Sequence, residues 1–334
     1  MTGHPLRLGS RKSPMAIAQS RQVVGLIAER TGRPVQVVGV TTLGDVSQAQ
    51  LTQLGGTGVF VGALREALLS GQVDLAVHSL KDLPAGPAAG IVLAAVPPRD
   101  DPRDALVARD GAKLADLPAG ARLGTGSPRR AAQLLALRDD LRCVPIRGNA
   151  GTRLAQVTAG ELDAVVLAAA GLARIGHQNA ITQVFEVDEM LPAPGQGALA
   201  VECRAGEPEL AALLAAVNDE ASMAAAVAER SLLEALAAGC HSPVCGYAAS
   251  TGQLLMRAAV LSTDGTRALH AHGSAPAADA RRLGRDLATE LLRRGASDLL
   301  GNPIDGKQPA FNGHPAPPLL ASPTARNCGG SLHR

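Results

Sequence analysis

The sequence predicts an α/β protein made of two similar lobes followed by a smaller α+β domain. Short apolar runs alternate with longer helical patterns over the first two thirds of the chain. The first stretch is echoed in the second, and the character changes near Asn218, where an Ala/Leu/Glu-rich helix begins.

In chain order, LRLG (6–9) reads as a strand ending in a turn. A helix follows over 13–30, with Ser13 as N-cap and Pro14 at the first helical position. VQVVGV (35–40) is a strand, GALREALLSG (62–71) a helix closed by Gly71, and VDLAV (73–77) a strand running into HSLKDLP. PPRDDPRD (97–104) is a crossing between lobes, and LPAPGQG (191–197) is the return. Between them the grammar repeats. RLGTGSPRRAAQ (122–133) echoes RLGSRKSPMAIAQ (7–19) with one gap, and AGELDAVV (159–166) echoes SGQVDLAV (70–77). Two such units place two helix N-termini at the carboxyl ends of strands, where open α/β sheets bind ligands.

A helix over 221–238 is expected to end at Gly239, just before Cys240, with a strand at 254–261 and a helix at 280–294 beyond it. The tail is rich in Pro, Gly, Ser and Asn without apolar periodicity and reads as disordered. The expected domains are 1–97 with 198–217, then 98–197, then 218–301, with a disordered tail at 302–334.

Composition narrows the function. One Tyr, three Phe and no Trp leave little for stacking nucleic-acid bases, and a net charge of +2 argues against a DNA-coating surface. No run reaches membrane-spanning length without charge or Gly/Pro interruption, and the first residues lack the apolar core of a signal peptide. The cysteines at 143, 203, 240, 245 and 328 form no C-x-x-C pair and suggest no disulfide framework. The expectation is a soluble cytoplasmic monomer without nucleic-acid or membrane partners.

Against that background, Arg129, Arg130, Arg147, Arg153 and Arg174 gather in short turns beside apolar runs. Guanidinium forks match carboxylate and phosphate oxygens in pairs, so a small polyanion is the expected ligand. Taken alone, these residues also suit a non-catalytic binder of dicarboxylates. A phosphate-ester enzyme fits less well, for no P-loop or dinucleotide fingerprint is present. On the same terms Asp82 could simply cap the turn before Pro84, paired with Lys81, and Cys240 could be a small core thiol.

The motifs LGSRKSP (8–14), VHSLKDLP (77–84), RDDPRDA (99–105), GTGSPRR (124–130), RGNAGTRL (147–154), LAAAGLARIG (167–176), PGQGA (194–198) and GCHSPV (239–244) occur in one order. Together they resemble the porphobilinogen deaminase family, over roughly residues 6 to 298. The resemblance implies two lobes similar to type II periplasmic binding proteins and a third domain carrying a dipyrromethane cofactor through a thioether to Cys240. It also implies a transferase that joins four molecules of porphobilinogen, a pyrrole with acetate and propionate arms, releasing ammonia each time.

By the same resemblance, Arg11, Ser13, Arg147, Arg153 and Arg174 bind substrate carboxylates. Lys81, Ser79, Thr125, Ser127, Arg129, Arg130 and again Arg147 hold the cofactor. Asp82 is the catalytic carboxylate, stabilising positive charge that develops on the pyrrole nitrogen and moving protons. Cys245 is read as structural, Cys143 and Cys203 as core positions. His78 is read as structural and His241 as a loop residue; neither has metal-ligand spacing, so no metal is implied.

Overall fold

The computed structural model describes residues 4–40, 57–239 and 242–300, with the backbone alone for 57–60. In chain order the strands are β1 (Leu6–Ser10), β2 (Val35–Gly39), β3 (Leu75–Ser79), β4 (Ile91–Ala95), β5 (Asp104–Ala108), β6 (Arg122–Gly124), β7 (Arg142–Val144), β8 (Ala164–Ala168), β9 (Gln183–Val184), β10 (Leu199–Arg204), β11 (Val244–Ser250), β12 (Leu254–Leu261) and β13 (Ala268–Ala275).

Two sheets have the same construction. The first runs β2-β1-β3-β10-β4 and the second β7-β6-β8-β5-β9. In each, the first three strands are parallel and the remaining pairings are antiparallel. The fourth position is filled by a strand entering from a crossing: β5 after residues 96–103, and β10 after the return at 191–198. This is the lobe architecture of type II periplasmic binding proteins, as the sequence led us to expect.

The internal echo has a physical basis. In lobe 1, Arg7 N donates to Asp74 Oδ2 at 2.8 Å, and Asp74 N donates to Arg7 O at 2.8 Å. In lobe 2, Arg122 N donates to Asp163 Oδ2 at 2.7 Å, and Asp163 N to Arg122 O at 2.9 Å. The helix before each aspartate is closed in the same way. Gly71 (φ 72°) and Gly160 (φ 75°) take the left-handed conformation that spares a glycine any Cβ clash. The residues after them, Gln72 and Glu161, donate to Ala67 O and Gln156 O at 3.0 and 2.9 Å.

The helices that follow β1 and β6, which hold matching places in the two sheets, also start alike. Ser13 Oγ accepts from Ala16 N at 3.3 Å at the head of Pro14–Thr31, and Ser127 Oγ accepts from Arg130 N at 3.4 Å at the head of Pro128–Leu137. Each satisfies one orphan amide of the first turn, with proline just inside.

The third domain is the antiparallel sheet β11-β12-β13 under two helices, Glu220–Ala235 and Ala280–Arg293. Its core joins Leu232, Val244, Met256, Val260, Leu287 and Leu291, all buried. The first of these helices ends earlier than the expected Gly239. Leu236 caps it, and Ala237 adopts φ 49°. Ala238 N donates to Leu233 O at 3.0 Å and Ala237 N to Glu234 O at 3.1 Å. This is the closure that glycine usually makes, achieved here by an alanine that bears its steric cost.

Candidate functional site

The carboxyl ends of the parallel strands deliver the candidate residues to one seam between the lobes. β1 leads into Arg11 and Ser13, β3 into Lys81 and Asp82, β6 into Thr125 and Ser127, β7 into Arg147, and β8 into the helix Ala169–Arg174. This is the edge where open α/β sheets place their ligands.

The hydroxyls are already acceptors within the protein. Besides the two capping serines, Ser79 Oγ accepts from Gln19 Nε2 at 2.6 Å, and Thr125 Oγ1 accepts from Ser127 N at 3.2 Å. A hydroxyl so engaged keeps its own proton to give. Ser13, Ser79, Thr125 and Ser127 each therefore retain a hydroxyl proton for donation.

Behind them lies a buried charge cluster. Asp104 is 0% exposed and accepts from Arg129 Nη2 at 2.7 Å through Oδ2 and from Arg130 Nε at 2.8 Å through Oδ1. Arg129 Nη1 also donates to Leu191 O at 2.7 Å, and Arg130 Nη1 to Val166 O at 3.1 Å. Burial alone would push the Asp104 carboxyl up, but Arg129 and Arg130 outweigh it and hold it at about 2. The Lys81 amine is drawn down to about 8 by burial and by the charge of Arg130, against the opposing pull of Asp82 and Asp104. Burial and Arg130 likewise push the Arg153 guanidinium down, while its Nε donates to Gly148 O at 2.9 Å.

Among the described residues, Lys81, Arg129 and Arg130 thus stand against two carboxylates, buried Asp104 and half-buried Asp82, leaving a surplus of positive charge. Arg129 Nε is buried without an acceptor among the described residues. A carboxylate-bearing ligand would supply both the missing charge and acceptors.

The other candidates are placed differently. Asp82 is half-buried at the end of the short turn Leu80–Asp82. Arg11 is half-buried, and Arg147 is exposed. Arg174 grips the crossings: its Nε donates to Asp100 Oδ2 at 2.9 Å and its Nη2 to Gly197 O at 2.7 Å. Cys240 and His241, like the tail at 302–334, lie outside the described residues.

The remaining thiols among the described residues are buried; burial pushes Cys143 and Cys245 up to about 12. His78 is buried with Nε2 3.3 Å from Glu202 Oε2, and that carboxylate is gripped by Arg65 through bonds of 3.0 and 2.7 Å. A surface hollow of about 890 Å³ lies at the opposite end of β1, lined by Leu6, Arg7, Arg33, Asp74 and Glu207 among others. Arg7 and Asp74 there pair with each other at 2.6 Å, and the hollow is remote from the seam.

Sequence reasoning missed four residues that organise this region. Asp104 and Gln196 sat inside recognised motifs with no role assigned. Arg99 joins Glu229 of the third domain through bonds of 2.6 and 3.2 Å, donates through Nε to Gln196 O at 2.8 Å, and lies 5.0 Å over the Tyr247 ring. Glu229, 0% exposed, also accepts from Gly195 N and Ala248 N. A signal for Glu229 existed: it shares a buried helical stripe with Ala225, Ala228 and Leu232, where an unpaired acid would be costly.

Two α/β lobes joined by paired crossings, with arginines gathered at the seam between them and a third domain clamped to the crossings, define a three-domain α/β protein of the two-lobed class. Comparison with known proteins makes this specific. The description "porphobilinogen deaminase, dipyromethane cofactor binding domain" matches residues 6–212, and "porphobilinogen deaminase, C-terminal domain" matches residues 223–293. A porphobilinogen deaminase of Thermobifida fusca is 55% identical over 317 residues, covering 92% of this chain and 99% of that protein. Porphobilinogen deaminase 1 of Streptomyces coelicolor is 52% identical over 315 residues, covering 90% and 99%. The chain belongs to the porphobilinogen deaminase family.

Among solved structures, a periplasmic substrate-binding protein of an ABC transporter from Coxiella burnetii superposes with a TM-score of 0.41 at 17% identity, covering 64% of this chain and 91% of that one. The fold assignment rests instead on the strand orders above. Among the described residues, no single helix is long and apolar enough to cross a membrane.

Proposed function

We propose that this chain is a hydroxymethylbilane synthase, a transferase of tetrapyrrole biosynthesis that condenses four porphobilinogen molecules head to tail on a dipyrromethane primer carried by Cys240, acting in the cytoplasm as a monomer. The observation that carries the reading is 55% identity to a porphobilinogen deaminase along nearly the whole of both chains. The buried cation surplus supports it, because each pyrrole unit brings two carboxylates that need compensation inside a low-dielectric seam.

The primer, when bound, supplies the pyrrole end to which the first substrate is joined. Lys81, Arg129, Arg130 and Arg147, with Ser79, Thr125 and Ser127, would hold its acid arms. Arg11, Ser13, Arg153 and Arg174 would receive those of the growing chain, with Arg174 leaving Asp100 to do so. Asp82 stands next to Lys81 on the same turn. Its carboxylate serves to stabilise positive charge on the pyrrole nitrogen as ammonia departs, and then to take the proton lost from the ring carbon at bond formation.

Intact-mass measurement tests the attachment. The parent is expected to carry the added mass of two linked pyrroles, a Cys240→Ser variant to lack it, and a Cys245→Ser variant to keep it. An unmodified, folded parent that releases no ammonia from porphobilinogen would turn the reading toward a non-catalytic dicarboxylate binder.

A further inference from the structure

Gln196 is fully buried in the return crossing, and its amide is engaged on both sides. Nε2 donates to Pro102 O at 2.8 Å and to Asp104 Oδ1 at 2.8 Å. Oε1 accepts from Lys81 Nζ at 3.3 Å and from Arg130 Nη2 at 3.2 Å. Lys81 follows a strand of the first sheet, and Arg130 stands on a helix of the second lobe, so one side chain bridges both.

The backbone around this amide has little room to shift. A Cβ at Gly195 (φ 78°) would lie 2.9 Å from Lys81 N, and one at Gly197 (φ 86°) would lie 2.5 Å from Asp100 O. The left-handed backbone at both positions favours glycine in any case.

Only an uncharged amide suits these partners. It offers two N–H donors to oxygens and two lone pairs to cations. Glutamate would set a second carboxylate against Asp104 and the Pro102 carbonyl, and would also consume positive charge. A thioether or alkyl chain would leave Lys81 and Arg130 short of a shared acceptor and Asp104 short of a donor.

We propose that Gln196 is a positioning residue for the carboxylate-binding cations, fixing Lys81 of one lobe against Arg130 of the other through a neutral bridge that leaves their charge to the ligand. The identity of that ligand rests on the function proposed above; the bridge itself does not.

Among the described residues, the charged groups that act on Lys81 include Arg130 and Arg129 from the second lobe, Asp104 from β5, and Asp82 from its own turn. A carboxylate placed at 196 would join them at contact distance and favour the protonated amine. The lysines of this chain stand only at 12, 81, 113 and 307, so Cε-labelled lysine gives a spectrum simple enough to follow each one.

The test compares the holoenzyme with Gln196→Glu and Gln196→Met, using Lys81→Arg to assign the Lys81 resonance. In Gln196→Glu the Lys81 titration is expected to move upward by roughly one pH unit. In both variants KM for porphobilinogen should rise roughly tenfold with a smaller change in kcat, measured below the lowered melting temperature that the loss of buried partners entails. An unmoved Lys81 titration in Gln196→Glu, or an unchanged KM in Gln196→Met, overturns the proposal. If the parent itself releases no ammonia from porphobilinogen, the reaction assignment fails, and the lysine titration still decides the role of Gln196.

Discussion

Arg99 lays two guanidinium nitrogens across the carboxylate of Glu229, Nη1 to Oε1 at 2.6 Å and Nη2 to Oε2 at 3.2 Å. The first residue belongs to the crossing between the lobes, the second to the leading helix of the third domain. With Glu229 at 0% exposure, the pair is fully engaged, and removing one partner strands the other in a low-dielectric interior.

Glu229→Gln should therefore destabilise the protein by about 3–5 kcal/mol, since Arg99, Gly195 N and Ala248 N would lose an ionised acceptor. Denaturant unfolding measures this. A variant as stable as the parent would show the clamp to be dispensable.

Asp104 gives a pH dependence with a definite sign. Its folded pKa, about 2, lies below the ordinary carboxyl value of 3.8, so its contribution is present above pH 4 and is lost as pH falls toward 2. The difference corresponds to about 2 kcal/mol. Asp104→Asn should remove this part of the acid sensitivity while lowering stability at neutral pH, because Arg129 and Arg130 then lose their shared counter-ion. Unfolding curves recorded from pH 2 to 7 report both effects.

Ala237 offers a stabilising change. Its left-handed φ of 49° strains an exposed side chain. Ala237→Gly should raise stability by about 0.5–1 kcal/mol, the strain relieved exceeding the added freedom of the unfolded chain. Thermal melting distinguishes this from the loss expected of glycine in ordinary helical backbone.

Lys81 should mark the alkaline side of substrate binding. The amine is cationic below about 8 and loses its charge as pH rises through that value. KM for porphobilinogen is expected to climb there, and Lys81→Arg should carry the climb to higher pH. Identical profiles would separate Lys81 from carboxylate binding.

Asp82→Asn should retain the fold, because the side chain is only half-buried. Ammonia release from porphobilinogen should fall by about three orders of magnitude or more, as for loss of a proton-transfer group that also stabilises charge. Near-normal release would remove Asp82 from the chemistry.

Much of this arrangement was legible along the chain because it is local. A Ser-Pro pair states a helix start within a few residues, and the Arg-Leu-Gly and Gly-x-x-Asp echoes report the same strand-to-strand bonds in both lobes. Charge pairing is not local. Asp104 meets arginines 25 and 26 positions away, Gln196 meets Lys81 across 115, and Arg99 meets Glu229 across 130. Nothing in the spacing shows that Arg129 and Arg130 share a buried carboxylate while Arg174 is engaged with Asp100 and the Gly197 carbonyl. The early end of the helix at Ala235 was hidden for another reason: the left-handed position that closes it is filled by exposed Ala237, where local preference calls for glycine.

At Asp100 and Gly197 the two crossings meet backbone to backbone, with Asp100 N donating to Gly197 O at 3.3 Å and Arg174 fastened over the same carbonyl. Neither strap can bend there without carrying the other. Sliding one strap past the other there would cost these bonds, so the bonds favour lobe movements in which both straps travel together, as two hinges fixed to one pin.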